Sequence, residues 1–252
     1  LQDGDTTPSG QRLTGVSVKQ CLQEAVSRVD WKTRTNKDQQ GDIKRGIGVS
    51  ASFRGISLGG TAVDTSSAIV SIQEDGRVLL SCAILDGGQG ARTVLEQICA
   101  DSLGLDLKDI TTLDWDTSLA PDSGSTVASR GTFIGGNAVR DACEKLLEGI
   151  FSFLAREYVL LEKELYIEKS IVKCKNNNNF SLSFKEAIAK CRSAKMNLCA
   201  VGFYKSPDTG IEFSTGQGKP FFDYVYGSNV AEVEVDTLTG KVNVINFVSA
   251  HD

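Results

Sequence analysis

The strand-like run Arg77–Leu85 breaks into Asp86-Gly87-Gly88-Gln89-Gly90, and Val94, Leu95, Ile98, Cys99 and Leu103 then recur at helical spacing. Glycines between a strand and a helix let backbone N–H groups approach an anion, because no Cβ stands in the way and the helix start carries partial positive charge. A tight turn would use the same glycines. Gln89 adds an amide that donates and accepts at once, which suits a polar cofactor edge or a solvated loop.

A second loop repeats the arrangement. A strand over Ile110–Trp115 leads into the Asp-, Ser- and Gly-rich stretch Asp116–Gly131. A long amphipathic helix follows, with Ala138, Ala142, Leu146 and Ile150 flanked by Val139, Cys143, Leu147 and Leu154. Residues Asp122 to Gly131 offer hydroxyls, amides and one guanidinium ahead of that helix, a composition that suits phosphate. A capped helix start or a solvated loop are the alternatives. Gly55, Gly59 and Gly60 beside Phe53-Arg54 form a third candidate, and a strand-end bulge accounts for them equally well.

Around these loops the spacing predicts a helix over Ser17–Val29, a polar connector over Trp31–Gly41, and a hairpin of Ser66–Gln73 and Arg77–Leu85 turning at Glu74-Asp75-Gly76. Two strands are expected over Tyr158–Ile171, a polar turn at Asn176–Asn179, and a helix over Ser183–Ala194 capped by Ser183. Tyr224–Asp236 and Lys241–Val248 read as a hairpin around Thr237-Leu238-Thr239-Gly240, with the last strand expected to continue in a longer chain. No βαβ rhythm runs through the whole, so the fold class is α+β, with mixed, largely antiparallel sheets and packed helices. Three segments are expected: 1–45, an N-terminal helix and connector; 46–155, carrying both loops; and 156–252, an α+β region ending in the hairpin.

Composition removes several function classes. Lys plus Arg give 27 positive charges against 32 negative, a net of -5, which disfavours nucleic-acid binding. No apolar stretch approaches the roughly 20 residues of a membrane helix, and the first ten residues lack a secretory pattern. The seven cysteines never form Cys-x-x-Cys, which points to reduced thiols in a cytoplasmic protein and to no metal site. The single histidine, His251, and the missing Gly-Lys-Ser/Thr run leave no nucleophilic triad and no phosphate loop of the nucleotide-hydrolase kind.

Taken in order, Asp86-Gly87-Gly88-Gln89-Gly90, Thr93, Gln97-Ile98, Leu103-Gly104, Asp116-Thr117, Pro121-Asp122 and Thr126-Val127-Ala128-Ser129-Arg130 resemble the large subunit of molybdenum hydroxylases of the xanthine dehydrogenase and aldehyde oxidase family. The likeness continues through Gly135-Gly136-Asn137-Ala138-Val139 and the late hairpin Ala231–Val242, and touches Gln11-Arg12-Leu13 to Leu22, so it covers nearly the whole chain. It implies that the chain is an incomplete part of a larger molybdenum-cofactor-binding domain.

The resemblance also implies roles. Gly88, Gln89, Gly90, Ser125, Thr126, Val127, Ala128, Ser129 and Arg130 would contact molybdopterin, with its cytosine dinucleotide form as one option, and Arg130 would neutralise phosphate charge. Leu58 and Ala128 would face the substrate, with Leu58 standing where many relatives carry a stacking aromatic. The family's glutamate base and its upstream glycine-rich cofactor loop have no counterpart here, so no catalytic residue is expected within the chain and activity alone is not expected. Partners implied are the rest of the molybdenum-binding subunit, iron-sulfur and flavin modules on other domains or subunits, and a small-molecule substrate, an aldehyde or aromatic heterocycle hydroxylated with oxygen from water. A non-catalytic scaffold that keeps the fold is the rival reading.

Overall fold

The computed structural model describes residues 1–29, 31, 41–60 and 62–252, so most of the connector expected over Trp31–Gly41 lies outside the described residues. The chain forms two compact units, Leu1–Thr61 with Asp208–Asp252, and Ala62–Pro207. These cut across the segments 1–45, 46–155 and 156–252. The reason is long-range strand pairing, which joins residues near 50 to residues near 230.

In the first unit, β1 (Ile43–Gly55), β11 (Tyr224–Asp236) and β12 (Val242–His251) form an antiparallel sheet in the order β1-β11-β12. Its register places Val49, Val230 and Val248 in one row. The central strand β11 buries Tyr226, Ser228, Val230 and Glu232 at every second position, the period of a half-covered sheet. Helix α1 (Val18–Ser27) packs on β11 through Cys21 and Ala25, both buried, as its 3.6-residue periodicity requires. A small hairpin, β9 (Gly210–Glu212) with β10 (Gln217–Lys219), completes this unit.

The second unit holds the main core. Strand β2 (Thr65–Ile72) pairs antiparallel with both β3 (Val78–Cys82) and β8 (Cys199–Lys205), and β3 pairs parallel with β4 (Ile110–Thr112), giving the order β4-β3-β2-β8. The β3–β4 crossover is helix α2 (Ala91–Leu103). Helix α3 (Gly136–Tyr158) turns Ala138, Ala142, Leu146, Ile150 and Leu154 toward the sheet, all buried, in the i, i+4 row that sequence periodicity predicts. Alanines in that row let β8 come close: a Cβ on Gly202 would collide with the Ala138 carbonyl and the Ala142 amide. Glycine weakens strand propensity, which is why β8 gives little signal in the sequence.

A three-stranded antiparallel sheet, β5 (Leu165–Glu168), β6 (Ile171–Cys174) and β7 (Asn177–Ser183), and helix α4 (Phe184–Ser193) extend the same core. Ser183 caps α4 as expected: its Oγ accepts from Glu186 N at 3.2 Å while Glu186 Oε2 accepts from Ser183 N at 3.0 Å. Two local expectations are corrected. Tyr158 ends α3 instead of opening a strand, and the turn narrows to Lys175-Asn176: Asn177 pairs with Cys174, while Asn178 and Asn179 run extended in β7 at a register shift before Ser181 rejoins the ladder at Lys173. Of the seven cysteines six are buried, serving as small apolar side chains; beside Cys143, the Cys99 thiol at 3.7 Å and burial together push the thiol pKa up.

Replacing Gly202 by alanine is expected to destabilise the protein by roughly 1–3 kcal/mol or more, since backbone lines both sides of the contact and neither side chain can yield. A urea melt reads this directly; a midpoint equal to that of the wild type would mean that β8 and α3 are less tightly apposed than described.

Candidate cofactor-binding loops

Both glycine-rich loops belong to the second unit and lie side by side. Two residues past β3, Ile84 has its side chain fully buried against the turn that leads into α3. A Cβ on Gly135 would fall 2.5 Å from Ile84 Cγ1, and one on Gly131 3.2 Å from Cγ2, so glycine at the helix start permits this approach. The first loop leaves Ile84 and the second arrives at Gly131, hence the two meet. One hydrogen bond joins them: Leu85 N donates to Thr126 Oγ1 at 2.8 Å.

The first loop is closed by its own side chains. Asp86 Oδ1 accepts from Gly88 N at 2.9 Å and Gly90 N at 3.1 Å, and Oδ2 accepts from Arg92 N at 3.1 Å. The carboxylate therefore caps α2 at the spot where an external anion would sit. Those amides, the Arg92 N–H first, hold the Asp86 pKa below the ordinary value of 3.8. Gln89 folds back as well, with Nε2 donating to Leu85 O at 2.9 Å and Oε1 accepting from Gly87 N at 2.6 Å. An amide has two donors and two lone pairs, so one of each remains on the exposed side. Gly88 and Gly90 adopt positive φ, 104° and 81°, and a Cβ on either would meet open space.

The second loop presents Ser125, Val127 and Ser129 to solvent and half-buries Thr126 and Ala128. Ala128 and Ser129 are both left-handed, with φ of 54° and 57°, an arrangement that non-glycine residues rarely adopt twice in succession. Ser123 lies beneath, fully buried, its Oγ donating to Ser67 O at 3.0 Å. Arg130 departs from its expected role as a phosphate ligand. Its side chain is 1% exposed and turned inward: Nε donates to Asp64 Oδ1 at 2.7 Å, Nη1 to the carbonyls of Ser123 and Ser125 at 2.5 and 2.7 Å, and Nη2 to Thr65 O at 2.7 Å. Internal acceptors take the charge, because a buried guanidinium must be both paired and hydrogen-bonded.

The family model of the molybdopterin cofactor-binding domain matches residues 24–252. The chain belongs to that family. It is 30% identical over 244 residues to the xanthine dehydrogenase/oxidase of Gallus gallus, across 94% of this chain and 16% of that protein. With the xanthine dehydrogenase of Oryza sativa subsp. japonica it shares 32% over 197 residues, 78% of this chain and 13% of the relative. Among solved structures, the aldehyde oxidoreductase from Desulfovibrio desulfuricans matches with a TM-score of 0.72 and 29% identity, over 100% of this chain and 25% of that one. The chain thus spans about a sixth of the length of curated relatives such as the chicken enzyme.

As a molybdopterin cofactor-binding chain, it offers residues that fit a polar, hydrogen-bonding cofactor edge. The glycine face at Gly88 and Gly90 stands open, and the Ser125 and Ser129 hydroxyls make no hydrogen bond within the described residues. Thr126 has spent an acceptor and keeps its O–H donor. The helix start of α2 fits an added anion less well, since Asp86 already holds its amides. Leu58, 37% exposed, belongs to the first unit, whereas Ala128 belongs to the second.

Two residues that organise the loops escape a reading of motifs. Asp86 was legible in principle, as an Asp at capping distance ahead of a helix. Asp64 was not, because nothing in the chain marks a carboxylate as the partner of a guanidinium 66 positions later.

Asp86→Asn is expected to speed hydrogen exchange at Gly88, Gly90 and Arg92 while the body of α2 keeps its protection. Because the folded pKa of Asp86 is lowered, its hold on the loop is complete above the ordinary aspartate range and is lost as pH falls through the lowered value. Carbon-detected NMR titration should place the Asp86 carboxyl midpoint below that of an unstructured aspartate; an equal midpoint would contradict the cap.

Proposed function

We propose that this chain supplies part of the molybdopterin cradle in the large subunit of a molybdenum hydroxylase. The observation that carries the reading is the meeting of two open loops, 85–90 and 121–131, joined by the Leu85 to Thr126 hydrogen bond, in a chain of the molybdopterin cofactor-binding family. In this reading the free donor and acceptor of Gln89 and the hydroxyls of Ser125, Thr126 and Ser129 bind the pterin and phosphate groups. Gly88 and Gly90 give backbone access, and Val127 and Ala128 shape the apolar wall nearest the reacting centre. Arg130 acts from within the loop.

When bound, the molybdenum cofactor supplies the oxidation chemistry, and the whole protein hydroxylates an aldehyde or aromatic heterocycle with oxygen from water. The residues of this chain bind and orient; the carboxylate base and a further cofactor loop come from other parts of the protein. Iron-sulfur and flavin modules on other domains or subunits carry electrons away. Ala128 borders the substrate in this reading, and Leu58, in the other unit, carries no flat aromatic side chain of the kind many relatives use for stacking. The cytosine dinucleotide form of the cofactor and a cytoplasmic location belong to the same reading. Among the described residues no helix is long and apolar enough to cross a membrane.

Gln89→Ala and Ser129→Ala, each made in the whole protein, should lower molybdenum and released pterin by about 3–10-fold after gel filtration, the loss of one hydrogen bond of about 0.5–1.5 kcal/mol. Full occupancy in both variants would remove these residues from the cradle. A wild-type protein that carries neither molybdenum nor pterin would instead favour a non-catalytic scaffold.

A further inference from the structure

We infer that Arg130, anchored by Asp64, is a positioning residue that holds the second loop in its ligand-ready shape without touching the cofactor. The inference rests on the cradle proposed above.

Its basis is the course of the chain around one guanidinium. The backbone of Arg130 is fixed by the helix start, where Ile134 N donates to Arg130 O at 2.7 Å. The side chain reaches back across the loop to the carbonyls of Ser123 and Ser125, and beyond them to Asp64 and Thr65 at the head of strand β2. Gly124, at φ +66°, lies against it: a Cβ there would fall 3.2 Å from both terminal nitrogens. The loop therefore winds around the guanidinium as a closed ring, with Ser123 Oγ adding a tie to Ser67 O.

The strained pair Ala128-Ser129 lies within this ring, immediately ahead of Arg130. Consecutive left-handed residues cost backbone strain that their surroundings must offset; here Arg130 N closes the turn on Val127 O at 3.2 Å. Arg130 holds the turn from both ends: its main chain bonds to the helical turn Gly131–Gly135 that leads into α3, and its side chain bonds to Asp64 and Thr65 at the head of β2. A phosphate could reach the guanidinium only by displacing carbonyls that the loop needs for closure, so a binding role and the observed geometry exclude each other. A planar five-donor group suits this task and a lysine does not, because one ammonium cannot span acceptors on two sides of a ring.

The test uses the whole protein. In the Arg130→Met/Asp64→Leu double variant, apolar side chains of similar bulk replace the ion pair, a change that buried pairs often tolerate without loss of stability. Hydrogen exchange of residues 123–129 should accelerate about ten-fold or more, with β2 and α2 unchanged, and bound molybdenum and pterin should fall about five-fold or more. Arg130→Lys should lie between the double variant and the wild type. A folded double variant with wild-type loop exchange and full cofactor retention would overturn the inference and leave Arg130 a filler of the core. If the double variant does not fold, Asp64→Asn, which keeps the shape and removes the charge, must by itself raise exchange across 123–129; unchanged exchange there overturns the inference as well. A wild type without cofactor would defeat the proposed function, while the exchange comparison still decides for or against the positioning role.

Discussion

The ion pair between Arg130 and Asp64 is the constraint on which the rest of the candidate site depends. Burying a guanidinium is costly unless carboxylate and carbonyl partners replace water, and here one carboxylate and three carbonyls do so. Against an apolar core of equal volume such a pair gains little stability, yet removing one partner costs about 3–5 kcal/mol because the other is left charged and buried. Its contribution is therefore better understood as geometric. A single side chain links the head of the central strand, the middle of the second loop and the start of the longest helix of the unit.

The first loop is organised by a different device with the same outcome. Asp86 binds the amides at the start of α2, and Gln89 closes the turn behind it. Both loops thus reach their shape through internal polar contacts, with hydroxyls, an amide edge and two glycines left toward solvent. Preorganisation of this kind lowers the ordering cost that a flexible loop would bear on binding a ligand. It also separates residues turned inward to hold the loops, Asp64, Asp86 and Arg130, from those proposed to touch a ligand, Gln89, Ser125 and Ser129.

The meeting of the loops is a packing result. Gly131 and Gly135 admit Ile84, Gly202 admits the backbone of α3, and the alanines at 138 and 142 continue the same close approach. Each is a small residue at a contact where a larger one would force strand and helix apart. Relatives that match this chain carry far more polypeptide, 84% of the chicken enzyme lying outside the matched region.

Periodicity and turn chemistry in the sequence determined most elements: the β2–β3 hairpin, the helices after each loop, the Ser183 capping box and the closing hairpin of β11 and β12. They depend on neighbours within a few residues, as does the Asp86 cap. The ordered motifs from Asp86 to Arg130 also pointed to the family. Tertiary structure alone decided three things: that β1 pairs with β11, so that the first unit is discontinuous in sequence; that Gly202 marks a strand pressed on a helix; and that Arg130 turns inward to Asp64. Each is a contact between residues more than 50 positions apart, where local propensity is silent and the cost of burying a charge, or a backbone without room for a Cβ, settles the outcome.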